Sequence, residues 1–161
     1  MSDVVSYAAC TALLVLSCWD LSTRRLPNAL VAVFGALYVP HAWLAHTSWT
    51  SFAQHAATAL VCFAIGALLH AAGQFGGGDV KLASTVLLWA GPRAALPTLA
   101  LVSLAGLAIV VLGCIADRLA TSVPFVAPLA RLWSVRRGVA YGVALAIGGW
   151  CVVWPRTLIT G

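Results

Sequence analysis

The sequence predicts an all-α integral membrane protein, a bundle of about six transmembrane helices in one domain over residues 1–161. The chain is 62% hydrophobic and only 8% charged, whereas an ordinary soluble domain carries about 25% charged residues. Its mean hydropathy is +1.00. The apolar residues are grouped in long stretches separated by short polar segments. A soluble fold of this size has no means of hiding so much apolar surface from water.

Each apolar stretch predicts one helix of the bundle. The stretches cover residues 4–20, 28–46, 54–72, 80–91, 94–116 and 138–154. A spanning helix needs about 20 residues, within a range of about 17–25. Five of the stretches meet this requirement. The fourth is short, since it begins at a run of glycines and ends near Gly91-Pro92, and we expect it to start below the membrane surface or to cross only part of the bilayer.

The basic residues predict that the N-terminus lies outside. With this orientation the cytoplasmic loops are about 21–28, 73–81 and 117–137, and they hold seven of the nine Lys and Arg, while Arg93 and Arg156 lie outside. This is the positive-inside pattern. The first stretch lacks a basic region before it and a cleavage site after it, so it is predicted to be a helix and not a removable signal.

The net charge of +5 and the cysteines exclude several classes of protein. The few basic residues lie between apolar stretches, where they orient helices and contact lipid headgroups, so the bilayer is the expected partner and nucleic acid is not. The five cysteines all lie inside apolar stretches and none forms a C-x-x-C pair. We therefore expect no zinc site, no disulfide framework and no cofactor.

Two of the four acidic residues lie at candidate functional positions. Asp20 closes the first apolar stretch, and Asp79 follows three glycines between two apolar stretches. A charge near lipid is costly and marks a functional site by default. In the predicted topology both residues lie at the cytoplasmic face, at one depth. Asp3 in the N-terminal tail and Asp117 beside a loop are solvated positions of lower cost.

Structural roles also suit both residues. Asp79 is a good N-cap for the fourth helix, and Asp20 is four residues before Arg24, a spacing that favours an ion pair. The shared depth favours a joint site instead. Two close carboxylates cannot both ionise easily and so share a proton. The ionised one takes a proton from a water that attacks a peptide carbonyl, and the protonated one donates to the carbonyl oxygen. This is aspartyl protease chemistry.

The motifs around both residues resemble one family. Gly76-Gly77-Gly78-Asp79 fits the G-x-G-D motif of intramembrane aspartyl proteases. With Val80-Lys81-Leu82 after it, and Arg25-Leu26-Pro27-Asn28 after Asp20, the chain resembles the type IV prepilin peptidase family. Tyr141-Gly142-Val143-Ala144 resembles the late Pro-Tyr-Gly-x-Ala segment of that family, with Ala140 in place of the proline. Without the cysteine-rich zinc domain of larger members, the chain resembles the short form associated with tight-adherence (Flp, Tad/Cpa) pili.

The resemblance implies a single integral membrane peptidase domain with Asp20 and Asp79 as the catalytic pair. The substrates would be prepilins or pseudopilins, in which a short basic leader and a Gly at the cleavage site precede an apolar helix. Cleavage would occur at the cytoplasmic face of the bacterial inner membrane, without a metal and without N-methylation of the product. Residues that shape the site or contact the substrate would be Gly76, Gly77, Gly78, Lys81, Tyr141 and Gly142.

Several alternatives stay open at the level of the sequence. Lys81 either anchors its helix at the interface or favours the ionised form of a nearby carboxylate, and Tyr141 lies near the site or merely within the bundle. His70 is expected to be packed or interfacial. The main functional alternative is a small transporter that uses Asp20 and Asp79 as a proton or cation relay. A third interpretation is a subunit of a secretion complex without catalytic activity.

Overall fold

The computed structural model describes residues 2–122 and 141–154. Within these residues every regular element is an α-helix, which confirms the predicted all-α class. The helices are α1 (Ser2–Thr23), α2 (Asn28–Ala36), α3 (Tyr38–Leu44), α4 (Trp49–Ala71), α5 (Gly77–Ser122) and α6 (Tyr141–Val153). Most of the predicted loop 117–137, the start of the stretch 138–154 and Arg156 lie outside the described residues.

Three of these helices are long and apolar enough to cross a membrane. They are α1, α4 and residues 77–118 of α5. The 22 residues of α1 extend for about 33 Å, close to the thickness of about 30 Å that a hydrocarbon core presents. The range Asn28–Leu44 and α6 are apolar but shorter. The number of about six spans and the orientation stay predictions.

The second predicted helix is divided into α2 and α3. Pro40 lies in the first turn of α3, and a proline there removes the N–H that would bond Ala36 and brings its ring against that carbonyl. The helix is therefore interrupted at Leu37. The indole N–H of Trp89 donates to the carbonyl oxygen of Phe34, at 3.2 Å, and stabilises α2 just before the break.

The boundary predicted between the fourth and fifth stretches is a sharp corner inside α5. Gly91 has φ 65° and ψ −178°, a left-handed backbone that favours glycine. Pro92 cannot donate to the carbonyl of Leu88, four residues earlier. The ring of His55 replaces that donor, because its Nδ1 lies 2.8 Å from the Leu88 oxygen. The same ring lies against Gly91, so no Cβ fits there.

The corner reverses the direction of the chain. We call residues 77–90 of α5 the first arm and residues 92–118 the second arm. Tyr141, at the start of α6, lies on Gly106 in the second arm, but further along α6 Gly148 packs against Val102, nearer the corner. The second arm and α6 are thus antiparallel, and the second arm returns toward the level of Tyr141.

The core lies between α1, α2, the first arm of α5 and α6. Its largest fully buried side chains are Leu13, Leu16, Phe34, Leu82 and Val86. Gly149 of α6 admits close contact, since a Cβ there would lie 3.1 Å from methyl groups of both Leu13 and Val86. Small residues at helix interfaces allow backbones to approach in this way. In contrast, α4 packs mainly on α5 and has no buried residue.

Candidate active site

The last turn of α1 carries Asp20, which is only 5% exposed. The helix continues to Thr23 and ends because Arg24 adopts a left-handed backbone with φ 54°. The N–H of Arg24 still donates to the main-chain oxygen of Asp20, at 2.9 Å. Asp20 is therefore held by regular helical structure on a buried face of α1.

The first turn of α5 carries Asp79. The helix begins at Gly77, and the N–H of Val80 donates to the oxygen of Gly76 at 3.1 Å. Asp79 is thus the third residue of the helix and not the residue that precedes it, which corrects the N-cap interpretation. An anion in the first turn is still stabilised by the helix dipole. Oδ2 of Asp79 folds back over Gly76, where a Cβ would lie 2.6 Å from it.

One cavity contains both carboxylates. It has a volume of about 390 Å³ and is lined by Asp20, Arg24, Arg25, Leu26, Asn28, Gly76, Gly77, Gly78 and Asp79. The two carboxylates are near enough for the charge of Asp20 to act on Asp79. The charge of Arg24 acts on Asp20 as well, so this arginine and the carboxylate of Asp20 are electrostatically coupled within the joint site.

The carboxylate of Asp20 faces the beginning of α6. The backbone N–H groups of Gly142 and Val143 interact with it. Its Oδ2 is buried and has no hydrogen-bond partner within residues 2–122 and 141–154. Buried polar atoms are nearly always paired, and an exception calls for an explanation. An acceptor oxygen with a free lone pair in a cavity is suited to hold a proton or to act on water.

The approach of α6 to Asp20 requires glycine at position 142. A Cβ there would lie 2.8 Å from Oδ2, 2.9 Å from Cγ and 3.1 Å from Cβ of Asp20. All three distances are shorter than an ordinary contact. The absence of a side chain at Gly142 thus lets the α6 backbone reach the carboxylate.

The glycine run before Asp79 is packed on two sides. A Cβ on Gly78 would lie 3.2 Å from Cβ of Leu26, and one on Gly77 would lie 3.3 Å from Cε1 of His70. His70 also contacts the chain just before the run, since its Nδ1 lies 2.7 Å from the oxygen of Phe75. The sequence identified His70 as packed or interfacial but gave no sign of this second contact.

Lys81 and Tyr141 do not line the cavity. Nζ of Lys81 donates to Oδ1 of Asn28 at 3.0 Å, which connects the starts of α5 and α2 beside the site. The ring of Tyr141 meets the ring of Phe75 edge to face, with centroids 5.9 Å apart. Both residues contact segments that carry cavity residues, so the structure gives them positions that support the site.

The chemical groups of the cavity are two carboxylates, two arginines, an asparagine and exposed glycine backbone. Among the described residues no group of three or more His, Cys, Asp or Glu is arranged to hold a metal ion. Two neighbouring carboxylates in different environments are suited to general acid–base chemistry.

Fold and cavity together define a helical membrane protein with a two-carboxylate site at one end of its bundle. The model of the Type IV leader peptidase family matches residues 7–111, more than half of the chain. The chain belongs to this family, which confirms the resemblance and implies a peptidase. The matched residues include Asp20 and Asp79 but not α6. Neither a curated protein nor a solved structure matches the chain.

Proposed function

We propose that the protein is an aspartic endopeptidase that removes the basic leader from prepilins or pseudopilins, cleaving after Gly at the cytoplasmic face of the bacterial inner membrane. One observation carries the proposal: Asp20 and Asp79, which are far apart in the chain, line one cavity. Membership of the Type IV leader peptidase family supports both the reaction and the class of substrate.

The reaction uses the pair with one shared proton. The ionised carboxylate removes a proton from water as the water oxygen attacks the peptide carbonyl, and the protonated carboxyl donates to the carbonyl oxygen. The resulting tetrahedral diol collapses when the carboxyl that took the water proton gives it to the leaving amide nitrogen, while the other carboxylate takes a proton from a diol hydroxyl and the pair returns to its starting state. Two adjacent carboxylates hold a single proton readily, because like charges at short range resist joint ionisation. Neither Asp20 nor Asp79 needs a metal for these steps.

The glycine backbone gives the scissile bond access to the pair. Gly76, Gly77 and Gly78 line the cavity without side chains, so an extended peptide can approach the carboxylates closely. We propose these three glycines, together with Gly142, as the residues that shape the site. Lys81, through its bond to Asn28, and Tyr141, through its contact with Phe75, support the site from outside the cavity.

The proposed topology has about six spans, an outside N-terminus and a cytoplasmic active site. The cavity includes Arg24 and Arg25, which fits a cytoplasmic face on the positive-inside rule. The reversal at Gly91 supports the count, because it separates α5 into two arms of opposite direction. The resemblance to the short form of the family further favours substrates of the tight-adherence (Flp) class and no N-methylation.

A cleavage assay in membranes tests the function. The protein is co-expressed with a candidate prepilin in a host without this activity, and loss of the leader is followed as a size shift. The variants Asp20→Asn and Asp79→Asn keep side-chain shape but remove the acid–base groups, so we expect each to lower the rate at least about 10³-fold. Asp3→Asn and Asp117→Asn are matched controls that should cleave normally.

The assay also decides between the functional classes. Normal cleavage by either Asp20→Asn or Asp79→Asn would refute the two-carboxylate mechanism. A wild-type protein that never cleaves, but whose ion flux is lost in Asp20→Asn, would instead indicate the transporter. The absence of both activities would contradict the peptidase and the transporter and would favour the assembly-subunit interpretation.

A further inference from the structure

A large apolar groove lies outside the catalytic site. It lies between α4 and the two arms of α5 and has a volume of about 670 Å³. Its lining includes small residues such as Ala57, Ala83 and Ala95 beside larger apolar ones such as Val61 and Leu87. Small residues let another helix approach a helical surface closely. The groove is therefore shaped for a helix more than for a compact ligand.

The groove has the length of a membrane segment. Along α4 its lining runs from Gln54 to Leu69, and at a rise of about 1.5 Å per residue this distance is about 22 Å. The groove thus has room for about 15 residues of an apolar helix. Although α4 packs on α5, none of its residues is buried, so the side of α4 that lines the groove stays accessible.

One end of the groove meets the proposed active site. Phe75 and Val80 line this end, and they are the residues that directly flank Gly76–Asp79. At the far end the lining includes Pro92, beside the corner at Gly91. A helix in the groove would therefore end beside the glycine run, where its chain can continue in extended form over the two carboxylates. A lipid chain in the groove would not require the groove to open into the polar cavity of the two carboxylates.

From this continuity we infer that the groove binds the apolar helix of the peptide substrate and aligns the adjoining scissile bond with Asp20 and Asp79. The inference rests on the proposed function, since it names where that substrate lies. It makes α4 a docking element for substrate, and it makes residues far from the carboxylates determinants of substrate binding.

A disulfide-trapping experiment tests the position of the substrate. Cys62 lines the groove, whereas the other four cysteines do not. These four, Cys10, Cys18, Cys114 and Cys151, are replaced by alanine. The resulting protein must first cleave prepilin normally. Asp79→Asn is then added so that bound substrate stays uncleaved. Single cysteines are placed along the apolar helix of the prepilin. Copper phenanthroline is supplied as the oxidant that forms the disulfide.

We expect cross-links to Cys62 from one face of the substrate helix, recurring every three or four residues. The matched control carries Cys62→Ala and Ala64→Cys, because Ala64 is on the same helix but outside the groove lining. Its cross-linking should be at least about tenfold weaker. Equal cross-linking at positions 62 and 64 would overturn the groove inference. So would the absence of cross-linking at Cys62, provided that the same protein with Asp79 intact cleaves prepilin. Both results would leave the proposed function standing.

A second measurement blocks the groove with a large side chain instead of cross-linking the substrate. Ala57→Phe fills the far part of the groove, and Ala64→Phe adds the same ring outside it. We expect Ala57→Phe to raise KM for full-length prepilin at least about fivefold, while kcat/KM for a short peptide without the apolar helix stays unchanged. Ala64→Phe should change neither. If Ala57→Phe slowed both substrates equally, or neither, the inference would be wrong; if no variant or wild type cleaved either substrate, the proposed function itself would fail.

Discussion

The substitution Gly142→Ala tests how closely α6 must approach the catalytic pair. The added Cβ would lie 2.8 Å from Oδ2 of Asp20. Ordinary contacts begin at 3.4 Å, so the two groups must separate by about 0.6 Å, the difference between these distances. The contact involves Cγ and Cβ of Asp20 as well, so a rotation of the carboxylate alone does not relieve it.

A displacement of this size should cost activity more than stability. A misplacement of about 1 Å at a catalytic group can lower a rate about 10²-fold. We expect Gly142→Ala to lower kcat/KM for prepilin about 10- to 100-fold, which is about 1.4–2.7 kcal/mol of transition-state stabilisation. Alanine is a better helix former than glycine, so backbone propensity does not oppose the substitution.

The matched control is Gly106→Ala. A Cβ at Gly106 would lie 3.5 Å from the ring of Tyr141, which is an ordinary contact. Cleavage is measured in purified membranes, and the unfolding temperature of each variant is measured in detergent. Gly106→Ala should retain activity within about twofold. Full activity of Gly142→Ala, or an equal loss in both variants, would refute the argument that Gly142 positions Asp20.

Substitutions at three further residues test contacts around the corner and the site. His55→Phe leaves the carbonyl of Leu88 without its donor, so the free energy of unfolding should fall by about 1–3 kcal/mol. The loss is measured as a lower unfolding temperature. Wild-type stability of His55→Phe would contradict a stabilising role for the bond from His55 to Leu88. His70→Leu removes the donor to Phe75 and should lower kcat with little change in KM. His70→Asn, which keeps a donor near the Nδ1 position, should recover part of the loss, and equal losses in both would argue against positioning. Lys81→Met keeps the apolar stem but loses the bond to Asn28, so we expect a cleavage rate lowered by less than tenfold, whereas complete loss would indicate a direct catalytic role.

The sequence predicted the class of fold well because membrane helices leave a strong compositional signal. The long apolar stretches correspond to helices, and the glycine at the predicted boundary 91–94 forms the corner. The division of the second helix was missed, although Pro40 was visible, because a proline in a membrane helix gives either a kink or a break. The donation from His55 to Leu88 depends on how α4 packs against α5, which no local pattern records.

The site was predictable in part for similar reasons. Asp20 and Asp79 stood out because a charge near lipid is rare, and the cavity contains both. Gly142 was identified as a site residue through resemblance to a motif, and its role became visible from its distance to Asp20. His70 and Leu26 were missed as packing partners of the glycine run, since an isolated histidine or leucine in an apolar chain has no distinctive signal.

The contact between α6 and Asp20 has a consequence for how the protein is made. Asp20 enters the membrane with the first helix to be synthesised, but the amides of Gly142 and Val143 that face it come from the last described helix. During translation the first carboxylate therefore spends most of the synthesis time without its final surroundings. Under the proposed mechanism, proteolytic activity is therefore expected only after α6 has inserted.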